Sequence, residues 1–175
     1  AATDNSQYFI APQEFKYPEA YFKLFIDQIA DSALVRVGHH WVGADSLKVA
    51  VPGLTLSPSR YWKIDGILPE GFEAKGRFSY DQGNYLDNEL LISANDSVVI
   101  LYRKNTGEEW SDPIQTRFGT WDFGYIDVDD LKLGEYTLAV WDKQIVGTVE
   151  IPNQDQVKIY PNPSRGVLNI EFSVK

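Results

Sequence analysis

Phe72-Glu73-Ala74-Lys75-Gly76-Arg77-Phe78-Ser79-Tyr80 decides the fold class. In an extended chain, Phe72, Ala74, Gly76, Phe78 and Tyr80 fall on one side, and Glu73, Lys75, Arg77 and Ser79 on the other. That two-residue period is the mark of an antiparallel strand with one face on a core and one in water. Working outward, Val98-Val99-Ile100-Leu101-Tyr102 is apolar at every position, which predicts a strand covered on both faces and central in its sheet. Shorter strands are predicted at 34–37, 47–51, 61–64, 116–120, 124–128, 136–140 and 146–151. Turn formers separate them: Pro52-Gly53, Pro69-Glu70-Gly71, Asp81-Gln82-Gly83-Asn84 and Asn105-Thr106-Gly107. Many short strands at this spacing predict a sandwich or a barrel.

Two further patterns refine this expectation. Residues 17–30 read as the single helix, because Pro18 suits a first-turn position and Tyr21, Phe22, Phe25, Ile26 and Ile29 recur at three and four. Leu133-Gly134-Glu135-Tyr136, followed by Leu138 and Val140, fits a tyrosine corner, in which a Tyr at a strand start bonds back to the preceding turn; the same pattern also fits an ordinary core Tyr. The expected fold is mainly β: an immunoglobulin-like antiparallel β-sandwich with one short N-terminal helix. The expected division is an extension over 1–31 carrying that helix and forming the end of an upstream catalytic unit. The sandwich follows over 32–151, then a polar linker over 152–156 and a separate unit over 157–175.

Composition limits the function classes. The chain has 175 residues, 43% hydrophobic and 14% aromatic, enough apolar surface for a packed core without staples. The formal charge of −9 opposes nucleic-acid partners, whose binding rests on Lys and Arg neutralising phosphates. No apolar run reaches the roughly 20 residues that a membrane-crossing helix needs, so membrane insertion is not expected. The absence of Cys removes disulfides and thiolate chemistry. The absence of Met, with the opening Ala1-Ala2-Thr3-Asp4, reads as a piece of a longer protein.

Near the end, Pro161 and Pro163 exclude helix, Gly166 permits a turn, and Leu168, Ile170 and Phe172 alternate with Asn169 and Glu171. The expectation is strand, turn, strand. Tyr160-Pro161-Asn162-Pro163, then Gly166, then Leu168 and Ile170, resembles the opening of the C-terminal sorting domain of the type IX secretion system. That family continues through further strands with basic residues, whereas this sequence stops at Lys175. The resemblance implies an exported parent protein, secreted or held at the surface of a Gram-negative bacterium, with the secretion machinery as a partner.

The body carries a second resemblance. Leu34-Val35-Arg36-Val37-Gly38-His39-His40-Trp41-Val42, Arg60-Tyr61-Trp62-Lys63-Ile64-Asp65-Gly66-Ile67 and Leu133-Gly134-Glu135-Tyr136 resemble the region after the catalytic domain in secreted zinc aminopeptidases of the aminopeptidase N type. It implies that the upstream catalytic domain of the same chain is the partner and that zinc belongs to that part. No cofactor, metal or catalytic residue is expected within these 175 residues. The family's zinc site takes two His at i and i+4 on a helix with an intervening Glu. Here the two His are neighbours, at 39 and 40, and on a strand they point to opposite faces.

Other chemistry is less clearly marked in the sequence. His39 or His40 with Asp45 and Ser46 supplies the residue types of a triad without a nucleophile elbow. Asp122, Asp127, Asp129 and Asp130 could gather oxygen ligands for calcium, but they lack an EF-hand's Gly and closing Glu, and fit a solvated turn better. Of five Trp, those at 41, 62 and 141 read as core, while Trp110 and Trp121 flank loops and could stack on sugar rings. A carbohydrate-binding module is therefore the alternative to an accessory spacer domain.

Overall fold

The computed structural model describes residues 5–142 in full, together with the backbone of 2–4, 158–160 and 169–171. The alternation at 72–80 becomes a strand, Glu73–Asp81, whose inward Ala74, Gly76, Phe78 and Tyr80 are buried while Glu73 and Lys75 face water. Ten strands build the body: β1 (Ala2–Phe9), β2 (Gln13–Tyr17), β3 (Phe22–Gln28), β4 (Ala33–His40), β5 (Leu54–Ile67), β6 (Glu73–Asp81), β7 (Ser97–Arg103), β8 (Gln115–Gly119), β9 (Phe123–Val128) and β10 (Gly134–Trp141). They form two antiparallel five-stranded sheets, one ordered β1-β4-β5-β10-β7 and the other β2-β3-β6-β9-β8. The apolar stripes face each other: Val35, Val37, Trp62, Ile64, Ile100, Tyr136 and Leu138 from the first sheet pack with Phe22, Leu24, Phe78, Tyr80, Ile126 and Val128 from the second. The result is a β-sandwich. Among the described residues no helix is long and apolar enough to cross a membrane.

The expected N-terminal helix is replaced by strands. Pro18–Ala20 makes a single 3-10 turn, Tyr21 ends it in the left-handed region at φ 53°, and β3 follows directly. Phe22, Leu24 and Ile26 are buried at a spacing of two. Because β1 to β3 belong to the two sheets, the sandwich begins within 1–31, the stretch expected to be an extension. The predicted strand at 47–51 is a loop instead, and β5 runs from 54 to 67.

β7 lies at a sheet edge and not in the centre. Its apolar sequence is explained by how that edge is closed. Ser111 and Tyr102 exchange backbone hydrogen bonds of 2.8 and 2.9 Å. The Gln115 side chain accepts from the Ile100 N–H at 2.8 Å and donates to the Ile100 carbonyl at 2.9 Å, imitating a neighbouring strand. The outward face of β7 is covered as well, with Leu101 and Arg103 buried.

The tyrosine corner forms. The Tyr136 hydroxyl donates to the Lys132 carbonyl at 2.8 Å and accepts from the Lys132 N–H at 2.9 Å. Gly134 opens this corner at φ 151°, where an added Cβ would sit 2.4 Å from the Arg103 carbonyl oxygen, so the backbones approach too closely for any side chain. Beyond the sandwich, Lys158–Tyr160 (β11) and Asn169–Glu171 (β12) pair as an antiparallel two-stranded sheet with Ile159 opposite Ile170. Two paired strands were expected there, and the segment between them lies outside the described residues. The predicted strand at 146–151 and the linker at 152–156 lie outside the described residues, as do Pro161, Asn162, Pro163, Gly166 and Leu168.

Candidate functional site

β4 separates the two imidazoles as its period requires. His39 is wholly buried in the sandwich and its ring lies parallel to Trp62, with centroids 5.3 Å apart. His Nδ1 lies 3.2 Å from the Glu19 carbonyl, which can only accept, so that nitrogen carries the proton. Nε2 is then an acceptor, and it is buried with no partner among the described residues. Burial, with the neighbouring Arg60 charge, lowers the His39 pKa to about 4. His40 lies on the other face of the sheet, stacked on Tyr61 at 4.5 Å.

Beside His39, the inward side chain of Arg60 is fully buried and forked onto Asp87, also fully buried, by two bonds of 2.7 Å. Its Nη2 also donates to the Ser79 carbonyl at 2.7 Å, while the Asp81 N–H donates to the same Asp87 carboxylate at 2.9 Å. The guanidinium lies 4.6 Å from the Trp62 ring centre and 5.6 Å from that of Tyr21, and Nη1 has no hydrogen-bond partner among the described residues. Above this buried polar layer, Tyr21 and Trp41 meet edge to face at 6.0 Å. Each ring is about two-fifths exposed, and Val42 beside them is 59% exposed. Trp41 was expected in the core; it follows the end of β4 and stands half in water because the strand stops at His40.

The outer face of the first sheet holds a second polar cluster. Arg103 is almost wholly buried and pairs with Glu135, whose Oε2 lies 2.8 Å from Arg103 Nε, and with Asp45. The Arg103 side chain holds the Asp45 carboxyl below its usual pKa. The Trp110 ring lies 4.3 Å from the Arg103 guanidinium carbon, so one ring face is occupied; its Nε1 is buried without a partner among the described residues. Trp121 is half-buried against the core. The two Trp proposed for sugar stacking are thus more enclosed than Trp41.

The remaining candidates are dispersed. Asp45 is bound to Arg103, which draws it away from any triad with a His. Asp127 is forked by Arg77 at 2.6 and 2.7 Å, Asp129 pairs with Lys75 at 3.3 Å, Asp130 with Lys132 at 3.2 Å, and Asp122 accepts from the Thr120 hydroxyl at 2.7 Å. Among the described residues no three His, Asp or Glu come together as a metal site. A groove of about 430 Å³ between the 44–51 loop and the start of β5 has an apolar lining that includes Leu47, Val51 and Leu56, with Ser46, Thr55 and Ser57 as its polar residues. It contains no titratable side chain. Of the sorting-type residues, Tyr160 and Ile170 fall in the β11–β12 pair.

Sequence reasoning missed Arg60, Asp87, Arg103 and Glu135. Their partners are 27 and 32 residues apart, and only the odd placement of Arg60 on the same side of β5 as Trp62 and Ile64 hinted at a buried cation. No known protein family, curated protein or solved structure matches the chain, so the two resemblances rest on the sequence stretches that carry them.

Proposed function

We propose that the chain is a non-catalytic accessory β-sandwich of an exported protein, set between a catalytic unit upstream and a sorting segment downstream. The observation that carries this is the state of the inward ionisable groups: Arg60 is committed to Asp87, and His39 is held neutral between Trp62 and the 3-10 turn. A nucleophile or metal-bound water needs a base that can reach it, and the two imidazoles stand on opposite faces of one strand. The buried polar groups instead fasten loops to sheets. The downstream half rests on the sequence resemblance of Tyr160-Pro161-Asn162-Pro163, Gly166, Leu168 and Ile170, and the antiparallel pairing of β11 with β12 is compatible with it.

The peptidase-like nature of the parent rests on the resemblances of residues 34–42, 60–67 and 133–136. The isolated chain is expected to hydrolyse no aminoacyl anilide, with or without added zinc. Metal-dependent turnover that co-purifies with the folded chain and disappears in a His39→Gln or His40→Gln variant would overturn the reading.

A further inference from the structure

We infer that Trp41 is an acid-operated lid over His39: a proton gained by the buried imidazole drives the Trp41 ring off it and into water while the sandwich stays folded. His39 is wholly buried, yet it is the last residue but one of β4. Its Nδ1 is bonded to the Glu19 carbonyl, and Nε2 is buried without a partner among the described residues. The ring that lies on it, Trp41 at 4.4 Å, is itself 41% exposed. A deeply buried base is thus covered by a half-exposed side chain.

A second proton, on Nε2, needs an acceptor or water, and the charged groups around the ring do not serve. β5 presents Arg60, a cation like the imidazolium, and its charge opposes the second proton. The Asp87 carboxylate, on the loop after β6, is engaged by two Arg60 nitrogens and the Asp81 N–H. The 3-10 turn offers the Glu19 carbonyl, already bonded to Nδ1, and the Tyr21 ring at 5.8 Å. His40 lies on the other face of the sheet and becomes a further cation once protonated. Trp62 could attract a cation to its ring, but it already lies 4.6 Å from the Arg60 guanidinium. The imidazolium must therefore reach water.

Of the rings around His39, Trp41 is the one free to yield. Trp62 is wholly buried and its Nε1 donates to the Ala20 carbonyl at 2.6 Å. Tyr21 is fixed through its backbone, its N–H donating to the Pro18 carbonyl at 3.2 Å and its carbonyl accepting from the Ser79 N–H at 3.0 Å. Trp41 and Val42 lie past the end of β4. Beyond them, Gly43 sits so close to Pro58 that an added Cβ would lie 2.8 Å from its carbonyl oxygen, and Asp45 is paired with Arg103. That pairing holds the Asp45 carboxyl below its usual pKa, so the anchor keeps its charge while His39 titrates. The moving piece is confined to Trp41 and Val42. Because the open form takes up the proton and the closed form resists it, acid shifts the population towards opening. With pKa values of 6.5 in water and about 4 under the lid, the opening equilibrium constant is about twenty-fold larger at pH 5 than at pH 7.

The test is fluorine NMR of residues 1–175 carrying fluorotryptophan, titrated from pH 7 to pH 4, with Trp41→Ala identifying the Trp41 signal by its loss. The Trp41 signal should move with a midpoint between pH 6.5 and about pH 4 and gain the solvent isotope shift of an exposed ring. Trp62 should gain no such shift, and far-ultraviolet circular dichroism should be retained. His39→Gln should abolish the Trp41 change, and His40→Gln should leave it. If His39→Gln does not fold, Trp41→Ala decides: His39, uncovered, should titrate closer to 6.5 than in the unsubstituted chain. Trp41 exposure that stays constant down to pH 4 overturns the lid, as does a change that survives in His39→Gln or vanishes in His40→Gln. Exposure of Trp62 in step with Trp41 assigns the transition to unfolding of the sandwich and overturns it too. So does a His39 titration that Trp41→Ala leaves unmoved.

Discussion

At the residue scale, His39 is the group whose chemistry the fold changes most. Its pKa is about 4 in the sandwich against an ordinary 6.5, so the unfolded chain takes up the proton first as pH falls. The stability that neutral His39 contributes is therefore complete above pH 6.5 and is lost as pH falls from 6.5 towards 4. With about 1.4 kcal/mol for each pKa unit, the loss over that window is about 3 kcal/mol. Urea unfolding at several pH values should show that slope, and His39→Gln, which can still donate to the Glu19 carbonyl, should flatten it. An unchanged slope in the variant would assign the pH dependence to other groups. The opposite placement of His39 and His40 was legible, because strand parity follows from adjacency alone. The depth of His39 was not legible, since it depends on Trp62 and on the Glu19 turn, 23 and 20 residues away.

At the element scale, the sequence reads well where one period is unopposed and badly where two coexist. β6 alternates strictly and forms as expected. Residues 21–29 satisfy both spacings, since Phe22, Phe25, Ile26 and Ile29 suit a helix and Phe22, Leu24 and Ile26 a strand. Tertiary context decides: β3 gains hydrogen bonds from both β2 and β6, and an isolated helix of that length is marginal in water. β7 was misplaced for a related reason, because continuous apolarity reports cover and not position. Its cover comes from the loop that returns through Ser111 and Gln115. Gln115→Leu should leave the N–H and carbonyl of Ile100 without partners and cost about 1–3 kcal/mol in urea unfolding. It should also expose a strand edge, seen as concentration-dependent light scattering that the parent chain lacks. A variant as stable and as monodisperse as the parent chain would show that the Gln115 amide does not guard the edge.

At the scale of the whole molecule, the alternation of sheets along the chain leaves the two layers joined at one end by an ion pair that no local pattern announces. Arg60 belongs to β5 of the first sheet, the Ser79 carbonyl and Asp81 N–H belong to β6 of the second, and Asp87 lies on the loop leaving β6. The pair thus rivets both sheets and that loop beneath Tyr21 and Trp41. Fully buried ion pairs contribute little over apolar replacements but are costly to break, because the surviving charge stays dry and unpaired. Asp87→Ala should accordingly lose about 3–5 kcal/mol, measured by urea unfolding. The double change Arg60→Met with Asp87→Leu removes both charges and should be markedly more stable than Asp87→Ala alone. If the pair only fastens the layers, the double variant keeps the near-ultraviolet circular dichroism of its packed aromatic rings. Additive losses in the two single variants and the double variant would show that Arg60 and Asp87 stabilise the sandwich independently and not as a pair.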